Sequence, residues 1–173
     1  EHWAFEPEVM RSYALHHETG EPIPEALITR LREADTFNQG FATTEYLAAS
    51  YLDLAWHEAD DTQDVDTLER AAMGAIDLLP EVSPRYHSSY FQHIFAGESY
   101  SAGYYSYIWA EVLDADGYEA FRENGLFDPQ TARAFREHVL KRGGTEDPGE
   151  LYRRFRGRDA EVGPLLRHRG LTD

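Results

Sequence analysis

Phe41-Ala-Thr-Thr-Glu-Tyr-Leu-Ala-Ala-Ser-Tyr-Leu-Asp-Leu-Ala-Trp56 carries Phe41, Leu47, Ala48, Tyr51, Leu52, Ala55 and Trp56 at offsets of three, four and seven. That spacing puts them on one broad face of an α-helix and lacks the alternation of a strand, so a helix is predicted over roughly 39–60. Working outward, helical runs are predicted for Pro7–His17, Pro24–Asp35, Val65–Asp77, Tyr104–Ala120, Pro129–Lys141, Asp147–Phe155 and Ala160–His168. Proline stands in the first turn of several, where its missing N–H costs little. Asp128 before Pro129 reads as an N-cap, and Gly143-Gly144 as a stop. No run of four to eight residues combines β-branched enrichment with alternation, so the fold class read here is all-α. The connection from Pro80 to Gly103 is rich in aromatic residues, and connections of that length tend to be functional or disordered. This one reads as functional.

With 173 residues, 42% of them hydrophobic and 13% aromatic, the chain has apolar material for a core. The 32 acidic against 16 basic residues give a formal net charge of -16, which repels a phosphate backbone and argues against nucleic acid as a partner. No stretch approaches the roughly eighteen apolar residues of a membrane span, so no membrane partner is expected and the chain reads as soluble. Cysteine is absent, which excludes thiolate metal sites without choosing between cytoplasm and periplasm; cytoplasm is favoured. The opening Glu1-His2-Trp3, in place of Met, is what an excised or processed piece would show.

Six of the 11 tyrosines fall between Tyr86 and Tyr107, in RYHSSYFQHIFAGESYSAGYYSY, Arg85 to Tyr107. Phenolic hydroxyls are neutral donors at pH 7, and several aimed at one point can hydrogen-bond a carbonyl oxygen as it becomes an oxyanion. Tyr104 and Tyr107 share a face at i, i+3 spacing, Tyr105 points elsewhere, and Tyr100 would approach from the loop. Gly97 and Gly103 would let that loop lie close to a peptide backbone. The bland alternative is that these tyrosines edge an ordinary core, and that His93, beside Ile94 and Phe95, is a packing residue. Composition leaves both open. Arg85 is equally open between anchoring a peptide carboxylate through its guanidinium and simple surface packing.

The stretch from His93 to Asp116, HIFAGESYSAGYYSYIWAEVLDAD, resembles the glycine-rich loop and following helix of the peptidyl-dipeptidase, thimet oligopeptidase and oligopeptidase A family of zinc metallopeptidases. Glu1-His2-Trp3 is similar to the segment shortly after that family's third zinc ligand. Phe37-Asn38-Gln39-Gly40 is similar to its Phe-Asn-x-Gly turn, and YRRFRG from Tyr152 and PLLRHRGL from Pro164 to its C-terminal end. The resemblance implies that residues 1–173 are the multi-helical C-terminal part of a neurolysin-like zincin catalytic region, N-terminally truncated, with a substrate-binding loop at about 85–107. It implies a parent enzyme that hydrolyses short peptides, in a peptidyl-dipeptidase-like manner, by zinc-activated water. Carried over by motif, Tyr100 and Tyr107 are the catalytic, oxyanion-stabilising residues, and His93 and Tyr104 contact substrate. One departure is that Gly97-Glu98-Ser99-Tyr100 has an acidic residue, and an extra residue, where the family runs through glycines.

A zincin site needs a His-Glu-x-x-His helix, whose i, i+4 histidines share a face, plus a further carboxylate. The sequence has none: His57-Glu58-Ala59-Asp60-Asp61 begins like it and ends in Asp, and reads as a solvated helix end. His16 and His17 are adjacent, hence on different faces of a helix, and read as solvated too. The metal list is therefore empty; zinc is a cofactor of the parent enzyme, and this chain alone is predicted inactive. The expected partners are short peptides and the zinc-bearing remainder of the enzyme. Two other readings stay open: a non-catalytic helical peptide-binding module, and a fragment that self-associates through exposed apolar patches.

Overall fold

Helix α3, Gln39–Glu58, begins where Asn38 takes the left-handed conformation (φ 58), a region that asparagine tolerates. The computed structural model describes residues 2–60 and 64–172. The order is a 3-10 turn His2–Phe5, α1 Pro7–Tyr13, α2 Glu25–Asp35, α3, α4 Val65–Ala75, three 3-10 turns, α5 Ser106–Asn124, α6 Pro129–Phe135, a π-turn Arg136–Leu140, α7 Pro148–Arg156 and α8 Gly163–His168. Among the described residues there is no strand, only an isolated bridge between Leu15 and Pro22. The fold class is all-α. Glu1 and Asp61, both quoted in the motif reading, lie outside the described residues.

Two compact units result: Asn38–Ala110, and Glu1–Phe37 together with Glu111–Asp173. In the first, Tyr46, Ala49 and Leu52 of α3, Leu68 of α4, and Phe91, Ile94 and Tyr104 of the connection form one buried apolar cluster. The expected face of α3 needs correction. Phe41 and Tyr51 are 44% and 50% exposed, while Tyr46 and Asp53 are buried. Ranking positions by hydrophobicity passed over two polar side chains that turn inward because both find backbone partners there.

The second unit is held by aromatic side chains and by one buried carboxylate. Trp3 packs edge-on against Tyr118 and Phe121 at ring distances of 4.8 Å, and Phe135 meets Phe155 at 5.3 Å. Asp116, fully buried, accepts hydrogen bonds from the Tyr152 hydroxyl at 2.5 Å and the Arg158 guanidinium at 2.6 Å, with Arg156 at 3.4 Å. Burial opposes its ionisation, but these partners outweigh burial and hold the carboxyl below its usual range.

Helix ends differ from expectation where local hydrogen bonding competes. α1 stops at Tyr13, short of His17, because Ile23 N–H bonds Ala14 O and His16 N–H bonds Glu21 O, both at 2.8 Å, turning residues 14–23 back on themselves. His16 and His17 thus stack in a turn, at 4.9 Å, and not on a helix. The Pro129–Lys141 run changes its hydrogen-bond spacing midway, with Lys141 N–H reaching Arg136 O at 2.9 Å in the π-turn. Asp128 caps α6 as expected, accepting from Thr131 N–H at 2.7 Å.

Candidate functional site

The connection between α4 and α5 has little regular structure of its own beyond the 3-10 turns Ser88–Tyr90, Gln92–Phe95 and Glu98–Tyr100. It is ordered by what its side chains bury. Phe91 and Ile94 are 1% and 0% exposed, and with these two turned into the core, His93 between them faces outward. Around His93 stand three tyrosines. Its Nε2 is 3.1 Å from the Tyr107 hydroxyl, and its ring lies 4.9 Å from Tyr100, 5.9 Å from Tyr104 and 6.0 Å from Tyr107. Tyr104 and Tyr107 meet edge-on at 5.4 Å, although α5 begins only at Ser106. The four residues singled out by motif are therefore one cluster. Tyr100 and Tyr107 are about half-exposed, and Tyr104 is buried.

Arg85 sits on the Tyr104 side of this cluster. Its guanidinium lies 5.8 Å above the Tyr46 ring and is 3.6 Å from Glu45 Oε2. Burial raises the Tyr104 phenol above its ordinary range while Arg85 pulls the other way, so Tyr104 stays neutral and keeps its proton at physiological pH. Gly97 has extended backbone (φ 163) with open space where a side chain would go. At Gly103 a side chain would approach the Tyr100 carbonyl at 3.4 Å. The left-handed residue of the loop is neither glycine but Ala102, with φ 55. Glu98 is exposed.

Three residues that shape the site escaped the sequence reading: Tyr46, Asp53 and Glu69. The Tyr46 hydroxyl donates to Tyr104 O at 2.5 Å and accepts from Ile108 N–H at 3.2 Å. Asp53, 1% exposed, accepts from Ala102 N–H at 3.1 Å and Tyr104 N–H at 2.8 Å. Glu69 of α4 holds the other end of the connection, accepting from the Ser88 N–H and hydroxyl, each at 2.8 Å, and pairing with His87. Burial raises the Glu69 carboxyl and these bonds outweigh it, keeping the carboxyl below its usual range. The available signal was position: Tyr46 and Asp53 are seven residues apart, with Ala49 between, on the stripe of α3 that packs inward. His57 stands exposed in the last turn of α3, as expected, and its Nδ1 also lies 2.8 Å from Asp53 Oδ1 one turn back.

Chemically, the cluster offers phenolic donors beside an imidazole, with Tyr100 and Tyr107 half-exposed to solvent. It offers no metal chemistry. Among the described residues no three His, Cys, Asp or Glu side chains come together to hold an ion, so these residues do not fit a zinc site.

The family model for peptidase family M3 matches residues 1–171. The dipeptidyl carboxypeptidase of Escherichia coli is 45% identical over 99% of this chain and 26% of its own length. Oligopeptidase A of Haemophilus influenzae is 40% identical over 100% of this chain and 26% of its own, and an organellar oligopeptidase A of Arabidopsis thaliana is 40% identical over 99% and 22%. The chain spans about a quarter of the length of these relatives. With the model covering nearly every residue and relatives matching end to end, this chain belongs to peptidase family M3.

Proposed function

We propose that residues 1–173 are the helical C-terminal segment of a zinc-dependent oligopeptidase, supplying the peptide-contacting, oxyanion-stabilising wall of its site, with the metal ligands on residues outside this chain. The observation that carries the reading is the meeting of Tyr100, Tyr104 and Tyr107 around His93. When His93 carries its proton on Nε2, it donates to the Tyr107 oxygen and leaves the phenolic proton free for a substrate carbonyl. Tyr100, half-exposed with its ring 4.9 Å from the imidazole, supplies a second neutral donor. Two such donors bind the carbonyl oxygen more strongly as negative charge builds on it, which is the condition for lowering a barrier and not merely for binding. His93 and Tyr104 then act as substrate contacts, Gly97 and Gly103 as the places where peptide backbone passes closest, and Arg85 as a candidate partner for a peptide carboxylate.

The substrates proposed are short peptides. The match to a protein named dipeptidyl carboxypeptidase at 45%, against 40% for two named oligopeptidase A, supports release of dipeptides from the C-terminus. A soluble, cytoplasmic setting is part of the proposal; no helix among the described residues is long and apolar enough to cross a membrane. The experiment is hydrolysis of an N-blocked tetrapeptide by the longer protein that carries this segment, with products identified by mass. Tyr107→Phe is expected to lower kcat by roughly 10²–10³, the range for loss of one oxyanion donor. Unchanged kcat would refute the assignment, and products other than a C-terminal dipeptide would refute the cleavage mode. Peptide binding by the 173-residue chain without any cleavage in the longer protein would instead favour the non-catalytic module.

A further inference from the structure

Asp53 sits in the middle of α3 on its inward stripe, 1% exposed, where an apolar side chain would pack without losing hydration. A carboxylate is tolerated there only if its oxygens are matched, and both backbone N–H donors come from the Ala102–Tyr104 turn. Oδ2 takes the Tyr104 N–H at 2.8 Å and Oδ1 takes the Ala102 N–H at 3.1 Å, while His57 Nδ1 lies 2.8 Å from Oδ1, 2.8 Å from the Asp53 carbonyl oxygen and 3.3 Å from the Ala102 nitrogen. The two peptide N–H groups converge because Ala102 is left-handed, φ 55, a conformation that L side chains disfavour and that a buried acceptor can hold in place. Tyr104 is thereby gripped at both ends of its backbone, its N–H by Asp53 and its C=O by the Tyr46 hydroxyl at 2.5 Å. Its ring is wedged against Phe91 at 5.0 Å and reaches His93 at 5.9 Å.

We infer that Asp53, steadied by His57, is a positioning residue that sets the Ala102–Tyr104 turn so that Tyr100, Tyr104 and Tyr107 converge on His93. This rests on the peptidase reading above for its catalytic meaning, though the latch itself stands on geometry. Asp53 touches no substrate; it acts through the loop. Asp53→Asn keeps the shape, removes the charge and puts an amide donor where two N–H groups and an imidazole need an acceptor.

The test has two arms. In the 173-residue chain, hydrogen exchange of single amides should show Ala102 and Tyr104 protected in the wild type. In Asp53→Asn these two should exchange roughly 10- to 100-fold faster while Leu52 and Leu68 keep their rates, the local loosening expected when a charged acceptor is lost. Unprotected Ala102 and Tyr104 amides in the wild type overturn the inference even if the variant does not fold. Equal loosening everywhere overturns it as well, since that is a plain loss of stability. In the longer protein, Asp53→Asn should reduce kcat at least about tenfold with KM for the tetrapeptide moving far less. If the two amides loosen but Tyr107→Phe retains full kcat, the peptidase reading fails and the latch remains; if Tyr107→Phe is crippled and the amides do not respond to Asp53→Asn, the latch alone fails.

Discussion

The Tyr107 hydroxyl and His93 Nε2 lie 3.1 Å apart, bridging the first turn of α5 and a 3-10 turn fourteen residues earlier. Both side chains are exposed, so their bond contributes little to folding. Tyr107→Phe should therefore change unfolding free energy by less than about 0.5 kcal/mol in a urea titration, the usual scale for surface substitutions. Paired with the kcat loss expected above, that outcome separates a chemical role from a structural one. A stability loss matching the kcat loss would assign Tyr107 to packing.

Phe91 makes the opposite case. It is 1% exposed, stacked on Tyr86 at 4.8 Å and edge-on to Tyr104 at 5.0 Å. Phe91→Ala leaves a cavity beneath the site and should cost about 3–5 kcal/mol, read from the urea midpoint at constant slope. Because Tyr104 rests on Phe91, the same variant should weaken peptide binding wherever enough folded protein remains to measure it.

Asp116 is one carboxyl through which acid weakens the fold. Its carboxyl is held below the usual range: burial opposes ionisation, but the Tyr152 and Arg158 hydrogen bonds and the charge of Arg156 outweigh it. A carboxyl depressed in the folded state contributes stability that is fully present above its unfolded value, about 3.9, and that drains away as pH falls from there through the folded value. Unfolding free energy measured from pH 6 to pH 2 should show that loss. Asp116→Asn should have a shallower profile over the same interval and lower stability at pH 6. Asp116→Ala removes the acceptor of the Tyr152 hydroxyl and of the Arg158 guanidinium, while Arg156 keeps Glu123 at 2.8 and 2.9 Å, and should cost about 1–3 kcal/mol at neutral pH.

Asp128 provides a local check on helix capping. Its carboxylate accepts from the Thr131 N–H at 2.7 Å and hydroxyl at 2.8 Å, and both bonds hold its carboxyl below the usual range. Asp128→Ala should lower the thermal unfolding midpoint, and Asp128→Ser should recover most of the loss, because serine can accept the same N–H.

The clustering of Tyr100, Tyr104, Tyr107 and His93 was legible because the loop motif survives in a linear reading, and these residues lie at most fourteen positions apart. Asp53 was not legible. A single acidic residue on an apolar helix stripe looks like a defect until the loop that wraps over it is in place, and the loop belongs to a segment about fifty residues away. The same holds for Tyr46, whose hydroxyl looks free until it is seen bonded to Tyr104 O and Ile108 N–H.

The sequence alone determined the all-α class, the positions of the eight α-helices among the described residues to within a few residues for most, and the family, because periodicity, proline and aspartate caps and motif order are local properties of the chain. Tertiary structure decided which face of α3 turns inward, where α1 ends, and what holds the tyrosines against His93. Those depend on buried polar groups finding backbone partners far along the chain, and burial without a partner is costly enough that the partner, not the hydrophobicity of the residue, selects the position.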